Sequence, residues 1–173
     1  MKEFLEDLRF LKEKCGNSYI MALLSNRGIH CLLFYRLSHL LYKYRVPLLP
    51  LILTRIIQIV YGVDIDYRAQ LEGGIIIVHG IGLVIGSGVF IKNKVTLFHQ
   101  VTIGVRGGEN KDIGFATIEE NCTIYAGAKI LGSITIGKNS IIGANVVVTK
   151  NIPTDSIVTT DTKLVIRKRY TKL

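Results

Sequence analysis

Residues 118–148 read IEENCTIYAGAKILGSITIGKNSIIGANVVV. Ile118, Ile124, Ile130, Ile136, Ile142 and Val148 stand six apart, and the place four after each is compact: Cys122, Ala128, Ile134, Ser140, Val146 and Ile152. Upstream, Ile65, Leu71, Ile77, Leu83, Val89, Val95 and Val101 keep the same spacing without a slip. A sustained six-residue period predicts a parallel β-helix. Each hexad gives a short strand and a corner, and three hexads close one triangular coil. The aliphatic residue points inward and stacks on its equivalent eighteen positions away in the next coil. Gly86, Gly132, Gly137 and Gly143 fall near corners, where the backbone needs freedom. Strands of a β-sandwich alternate with period two between irregular loops and do not hold such a phase. Coils of this kind bury their core only by stacking, so the ends need caps.

The cap is expected at the N-terminus, where the period is helical. Leu5, Leu8, Phe10 and Leu11 form an apolar stripe followed by Lys12 and Lys14. A second helix is predicted over 27–44, with Leu33, Leu37, Leu40 and Leu41 on one side. Pro47 and Pro50 separate it from a third over 51–61. The organisation read from the sequence is therefore a helical segment over 1–61 and a solenoid over 62–166. A loop insertion at 105–117 interrupts the solenoid, and a basic tail over 167–173 follows it.

Composition narrows the function classes. Of 173 residues, 49% are hydrophobic and 8% aromatic with no Trp, so the apolar content is mostly Ile, Val and Leu, as a β-rich core requires. Cys15, Cys31 and Cys122 are too few and too scattered for a disulfide framework or a zinc site, which points to a reducing cytoplasm and no metal. The net charge of +9 calls for an anionic partner. Nucleic acid is disfavoured because aromatic residues do not interleave the basic ones. The first fourteen residues are charged rather than a signal peptide, and the apolar run 46–60 is too short and too broken to span a bilayer. Flanked by Arg and Lys, the apolar helices between 27 and 60 are compatible with a peripheral membrane contact.

Four segments carry a specific resemblance: Tyr61-Gly62-Val63-Asp64-Ile65, Val78-His79-Gly80, Val101-Thr102-Ile103-Gly104 and Ala126-Gly127-Ala128-Lys129-Ile130-Leu131-Gly132. With the helical Phe34-Tyr35-Arg36-Leu37-Ser38-His39-Leu40, they resemble serine acetyltransferases over about residues 28–165. The resemblance implies a left-handed β-helix, a homotrimer or a multiple of trimers, and acetyl-CoA lying in a groove between neighbouring prisms. It also brings two departures. In that family an Asp precedes the catalytic His and the loop carries an Asp-Arg-His-Pro run that helps hold the amino acid. Here Val78 precedes His79, and the loop reads Ile113-Gly114-Phe115-Ala116. Losing charged contacts to a zwitterion weakens its binding. The acceptor expected from this is a saccharide hydroxyl of a capsule or exopolysaccharide, with serine as the alternative. A non-catalytic solenoid docked at a membrane surface is the alternative of another class. Thr159-Thr160-Asp161-Thr162-Lys163 replaces the family's Gly-x-Pro-Ala-Lys turn.

Acetyl transfer to an alcohol needs a base for the hydroxyl proton and donors for the oxyanion. His79, beside Gly80 and Gly82, is the candidate base, and Asp64 matches the family's carboxylate that orients it. Coil arithmetic sets residue 82 above Asp64, three places from His79. It sets His99 over Ile81, as a packed histidine or an acceptor-site residue. Ala126 and Ala144 match small residues lining the groove, and Gly104-Val105 match the turn approaching the thioester. Lys150, Lys163, Arg167, Lys168 and Arg169 are candidates for the phosphates of the cofactor. Val78, His99 and Phe115 are acceptor-site candidates, Phe115 offering either an aromatic face to a sugar or a tuck onto the solenoid. His30 and His39 are expected to pack on their helix, and Cys122 to sit in the core.

Overall fold

The structure, a computed structural model, describes residues 2–16, 18–107 and 114–160. Four helices, α1 (Lys2–Cys15), α2 (Tyr19–Ser25), α3 (Arg27–Lys43) and α4 (Leu49–Tyr61), precede β1–β14, strands of two or three residues numbered along the chain. Helix α4 begins before Pro50 rather than after it. Proline is tolerated in a first turn, where its missing N–H has no helical partner to lose. Helix α2 was not anticipated; it buries only Ala22 and leaves Ile20, Met21, Leu23 and Leu24 exposed, so it shows no amphipathic stripe to read.

The strands stack into the three faces of a parallel β-helix. The first face holds β1 (Asp64–Ile65), β4 (Val84–Ile85), β7 (Thr102–Gly104), β10 (Lys129–Leu131) and β13 (Val147–Val148). The second holds β2 (Gln70–Leu71), β5 (Phe90–Ile91), β8 (Thr117–Ile118) and β11 (Thr135–Ile136). On the third lie β3 (Ile76–Val78), β6 (Thr96–Phe98), β9 (Thr123–Ile124), β12 (Ile141–Ile142) and β14 (Ile157–Val158). Each coil sends two residues inward per face, one in the strand and one at the corner before it. Ile103 and Val101, Ile124 and Cys122, and Ile130 and Ala128 are such pairs, all buried.

That doubling hides a slip in the period. Ile65 lies opposite Ile85 and Ile77 opposite Leu97, so the first coil spans 20 residues, whereas Ile85 meets Ile103 after the expected 18. The unbroken series from Ile65 to Val101 therefore joins two different columns. Ile65, Leu71 and Ile77 are strand residues, while Leu83, Val89, Val95 and Val101 are corner residues two places before Ile85, Ile91, Leu97 and Ile103. Because both columns are aliphatic, the change of column leaves no mark in the hydrophobic pattern. The two extra residues fall between Val78, opposite Phe98, and Ile81, whose carbonyl accepts from Gln100 N–H at 2.9 Å. They are His79 and Gly80.

The helices grip the first coil through polar groups. Arg36 of α3 donates through Nε and Nη2 to the two oxygens of Asp7 in α1, each at 3.1 Å, and also to the carbonyls of Leu71 and Glu72. Asp7, fully buried, accepts a further bond from Ile75 N–H at 2.8 Å. Tyr35 donates to Ala69 O at 2.7 Å, and burial pushes its hydroxyl up to about 12. Helix α3 presses so closely on β3 that a Cβ at Gly28 would overlap the carbonyl of Ile77. On the far side, Ile52, Ile59 and Val60 of α4 are exposed. No helix among the described residues is long and apolar enough to cross a membrane, and the expected peripheral contact gains no support beyond these side chains.

Candidate active site

The corner between β3 and β4 is the irregular part of the prism. His79 has φ 64°, and Gly80 and Gly82 follow at 72° and 74°. Glycine adopts that region freely, and Lys94, Gln100 and Asn145 share it at other corners, at 56°, 57° and 58°, so the conformation belongs to the turn rather than to the chemistry. The bulge pushes the His79 side chain outward, where it is exposed. In the next coil the corner is shorter, and His99 brings its ring to 5.9 Å from that of His79, edge to face at 71°. Nδ1 of His99 is buried and makes no hydrogen bond among the described residues. By backbone register His99 stands over Ile81, as the arithmetic required, and its equivalents in the following coils are Ala126 and Ala144. One edge of the prism thus carries two imidazoles and, above them, two methyl side chains.

Asp64 starts β1 at the foot of the neighbouring face. Val84, not residue 82, lies opposite it, because of the two-residue bulge. Its carboxylate accepts from Gln58 Nε2 of α4 at 3.3 Å, and the expected hydrogen bond to His79 is not made. Val78 ends β3, half-buried, next to His79.

The remaining candidates occupy a different edge. Gly104 ends β7 opposite Leu131, at the corner leading to the second face, with Val105 exposed beyond it. Lys150 lies two residues past β13 on that same edge, exposed. Phe115 packs its ring against Gly88, where any side chain would collide with it, so the aromatic tucks the end of the loop onto the solenoid. Lys163, Arg167, Lys168, Arg169, Ile113 and the basic tail lie outside the described residues. Among the described residues no cluster of His, Cys, Asp and Glu could hold a metal. Cys122 is buried and donates to Gly137 O at 3.2 Å, a core residue as expected.

Beside His79 a cavity of about 370 Å³ opens between β3 and the start of α3. A larger one, about 600 Å³, lies among α1, α3 and the second face, and no candidate site residue lines it.

Residues 115–150 match the family model "Bacterial transferase hexapeptide (six repeats)". A serine acetyltransferase of Buchnera aphidicola is 43% identical over 135 residues, which is 78% of this chain and 52% of that protein. The serine acetyltransferase of Bacillus pumilus is 38% identical over 152 residues, 88% of this chain and 70% of the relative. The chain belongs to the serine acetyltransferase family. It spans about half the length of the Buchnera relative. The crystal structure of Neisseria gonorrhoeae serine acetyltransferase in complex with serine superposes with a TM-score of 0.84 at 32% identity, covering 94% of this chain and 68% of that one.

Family membership corrects one expectation. The saccharide acceptor, and with it polysaccharide biosynthesis, rested on Val78 and on the altered loop. The identity to serine acetyltransferases extends over most of the chain and outweighs departures at a few positions. Phe115, the residue invoked for a sugar face, has its ring packed against Gly88.

Proposed function

We propose that the chain is an acetyl-CoA-dependent serine O-acetyltransferase. The observation that carries the reading is His79, held outward by a left-handed bulge at the foot of an edge lined above by Ala126 and Ala144. The small side chains leave a track for the pantetheine arm, with the thioester directed toward the imidazole. His79 takes the proton of the serine hydroxyl as the oxygen attacks the thioester carbonyl. The tetrahedral intermediate then collapses, the C–S bond breaks, and the imidazolium returns the proton to the leaving thiolate, giving O-acetylserine and CoA. Asp64 is assigned to orient the base, on exchanging its bond with Gln58 for one to the ring. His99 backs His79 by its ring contact.

The active unit is proposed to be a homotrimer. Gly104-Val105 and Lys150 lie on a different edge from His79 and Ala126, so a site using both sets draws them from two neighbouring prisms. The exposed Val84 and Val147 of the intervening face are apolar side chains that such packing would cover.

The test is release of CoA thiol from acetyl-CoA by the full chain with L-serine, compared with the His79→Ala variant. A loss of at least about a hundredfold is expected, the usual contribution of a general base. Wild-type turnover in a folded His79→Ala protein would remove the base from the mechanism. Absence of turnover with serine in the wild type would remove the reading.

A further inference from the structure

We propose that Arg27 holds the carboxylate of the amino-acid acceptor in the cavity beside His79, an assignment that rests on the serine acetyltransferase reading. The cavity is formed where the first turn of α3 meets β3, and His79, Val78, Asn26 and Arg27 are among its walls. Its volume of about 370 Å³ is ample for a free amino acid.

The charge inventory selects the ligand end. Among the described residues Arg27 is the one of fixed charge lining the cavity, and no Asp or Glu lines it. Its guanidinium makes no hydrogen bond or ion pair among the described residues, in contrast to Arg36 on Asp7 and Arg68 on Asp66. Nor does the charge serve the helix. At the first position of α3 a cation is opposed by the positive end of the helix dipole, and no acidic residue shares that turn. The same dipole favours an anion in front of the turn. Asn26 Oδ1 caps Ile29 N–H at 3.1 Å and fixes the start of the helix.

The helix backbone is fixed against β3, while Arg27 itself is exposed. Gly28, next to Arg27, sits against the carbonyl of Ile77, and Ile77 is two residues from His79. A planar guanidinium can take a carboxylate with two parallel hydrogen bonds, which fixes orientation as well as position. Anchored there, serine has its hydroxyl two carbons from the held group, and His79 is the base on the other wall. Arg27 thus supplies, from the helical side, the cation that the loop lacks at Gly114-Phe115-Ala116.

The experiment compares kcat/KM for L-serine and for L-serinamide, which lacks the anionic group, in wild type, Arg27→Ala and Arg27→Lys. Wild type is expected to favour serine. Arg27→Ala should lose roughly 10- to 100-fold on serine, mainly through KM, the worth of a charge-assisted pair. Its rate with serinamide should stay within about threefold of wild type, and Arg27→Lys should fall between. A folded Arg27→Ala with unchanged KM for serine, or with equal losses on both acceptors, overturns the assignment while leaving serine acetylation standing. A wild type inactive on serine overturns both.

Discussion

The solenoid and the seam where the helices meet it are held together in opposite ways. Inside the prism every coil repeats the same aliphatic stack: Ile85 under Ile103, Ile103 under Ile130, Ile130 under Val148. Among the described residues no Asp, Glu, Lys or Arg of the solenoid is buried. The seam instead concentrates its order in one buried ion pair, Asp7 with Arg36, tied to three backbone groups of the first coil. Burial pushes the Asp7 carboxyl up, against the pull of the Arg36 guanidinium and the donated N–H groups. Repetition spreads stability evenly; a buried pair makes it depend on two side chains at once.

The largest effect should follow from breaking the pair. Arg36→Ala leaves Asp7 buried without its counter-ion, to be held as an unpaired anion or to take up a proton, and the cost expected is about 3–5 kcal/mol. Chemical denaturation would read it as a lower midpoint. A loss under about 1 kcal/mol would mean that water enters the seam freely and that the pair does not organise it.

The solenoid should respond in smaller and more uniform steps. Ile85, Ile103 and Ile130 are fully buried and occupy equivalent inward places in successive coils. Ile→Val at each is expected to cost about 0.5–1.5 kcal/mol, with little difference among them. A spread of several-fold, measured by the same denaturation, would contradict equivalence of the coils.

The same contrast explains what could be read in the sequence. Repeat, strand phase after residue 118 and the helical cap follow from hydrophobic spacing, because each inward place demands the same kind of side chain. The bulge at His79 does not follow. Leu83 fits the strand column as well as the corner column, and only Gly80 and Gly82 around the histidine hint at an irregular corner. The Asp7–Arg36 pair left a trace that hydrophobic counting passes over. Asp7 shares the stripe of Phe4, Leu8 and Leu11, and Arg36 lies beside Leu32 and Tyr35, so each is a charge on a buried face. The cavity at Arg27 had no trace, since it depends on how α3 lands on β3. The saccharide expectation rests on substitutions at a few positions, and it is the identity to serine acetyltransferases over most of the chain that overturns it.

The smallest effect expected is on pH dependence, and it also belongs to the seam. His39 of α3 donates from Nδ1 to the carbonyl of Tyr67 in the first coil at 2.8 Å and stacks on Tyr35. Burial lowers its pKa, opposed by the Tyr67 carbonyl, with Lys43 and Arg36 adding to the lowering. The folded protein therefore resists protonating this ring more than the unfolded chain does. Above the unfolded value, about 6.5, both states are neutral and the contribution is fully present. As pH falls below it, the unfolded chain gains a proton first, and stability is lost until the folded pKa has been passed. Thermal melts of wild type and His39→Gln between pH 5 and 8 isolate the group from the other histidines. The wild type should lose more Tm than the variant on acidification below about pH 6.5, with the two profiles parallel above it. Parallel profiles throughout would show that His39 does not couple the helices to the first coil through its charge.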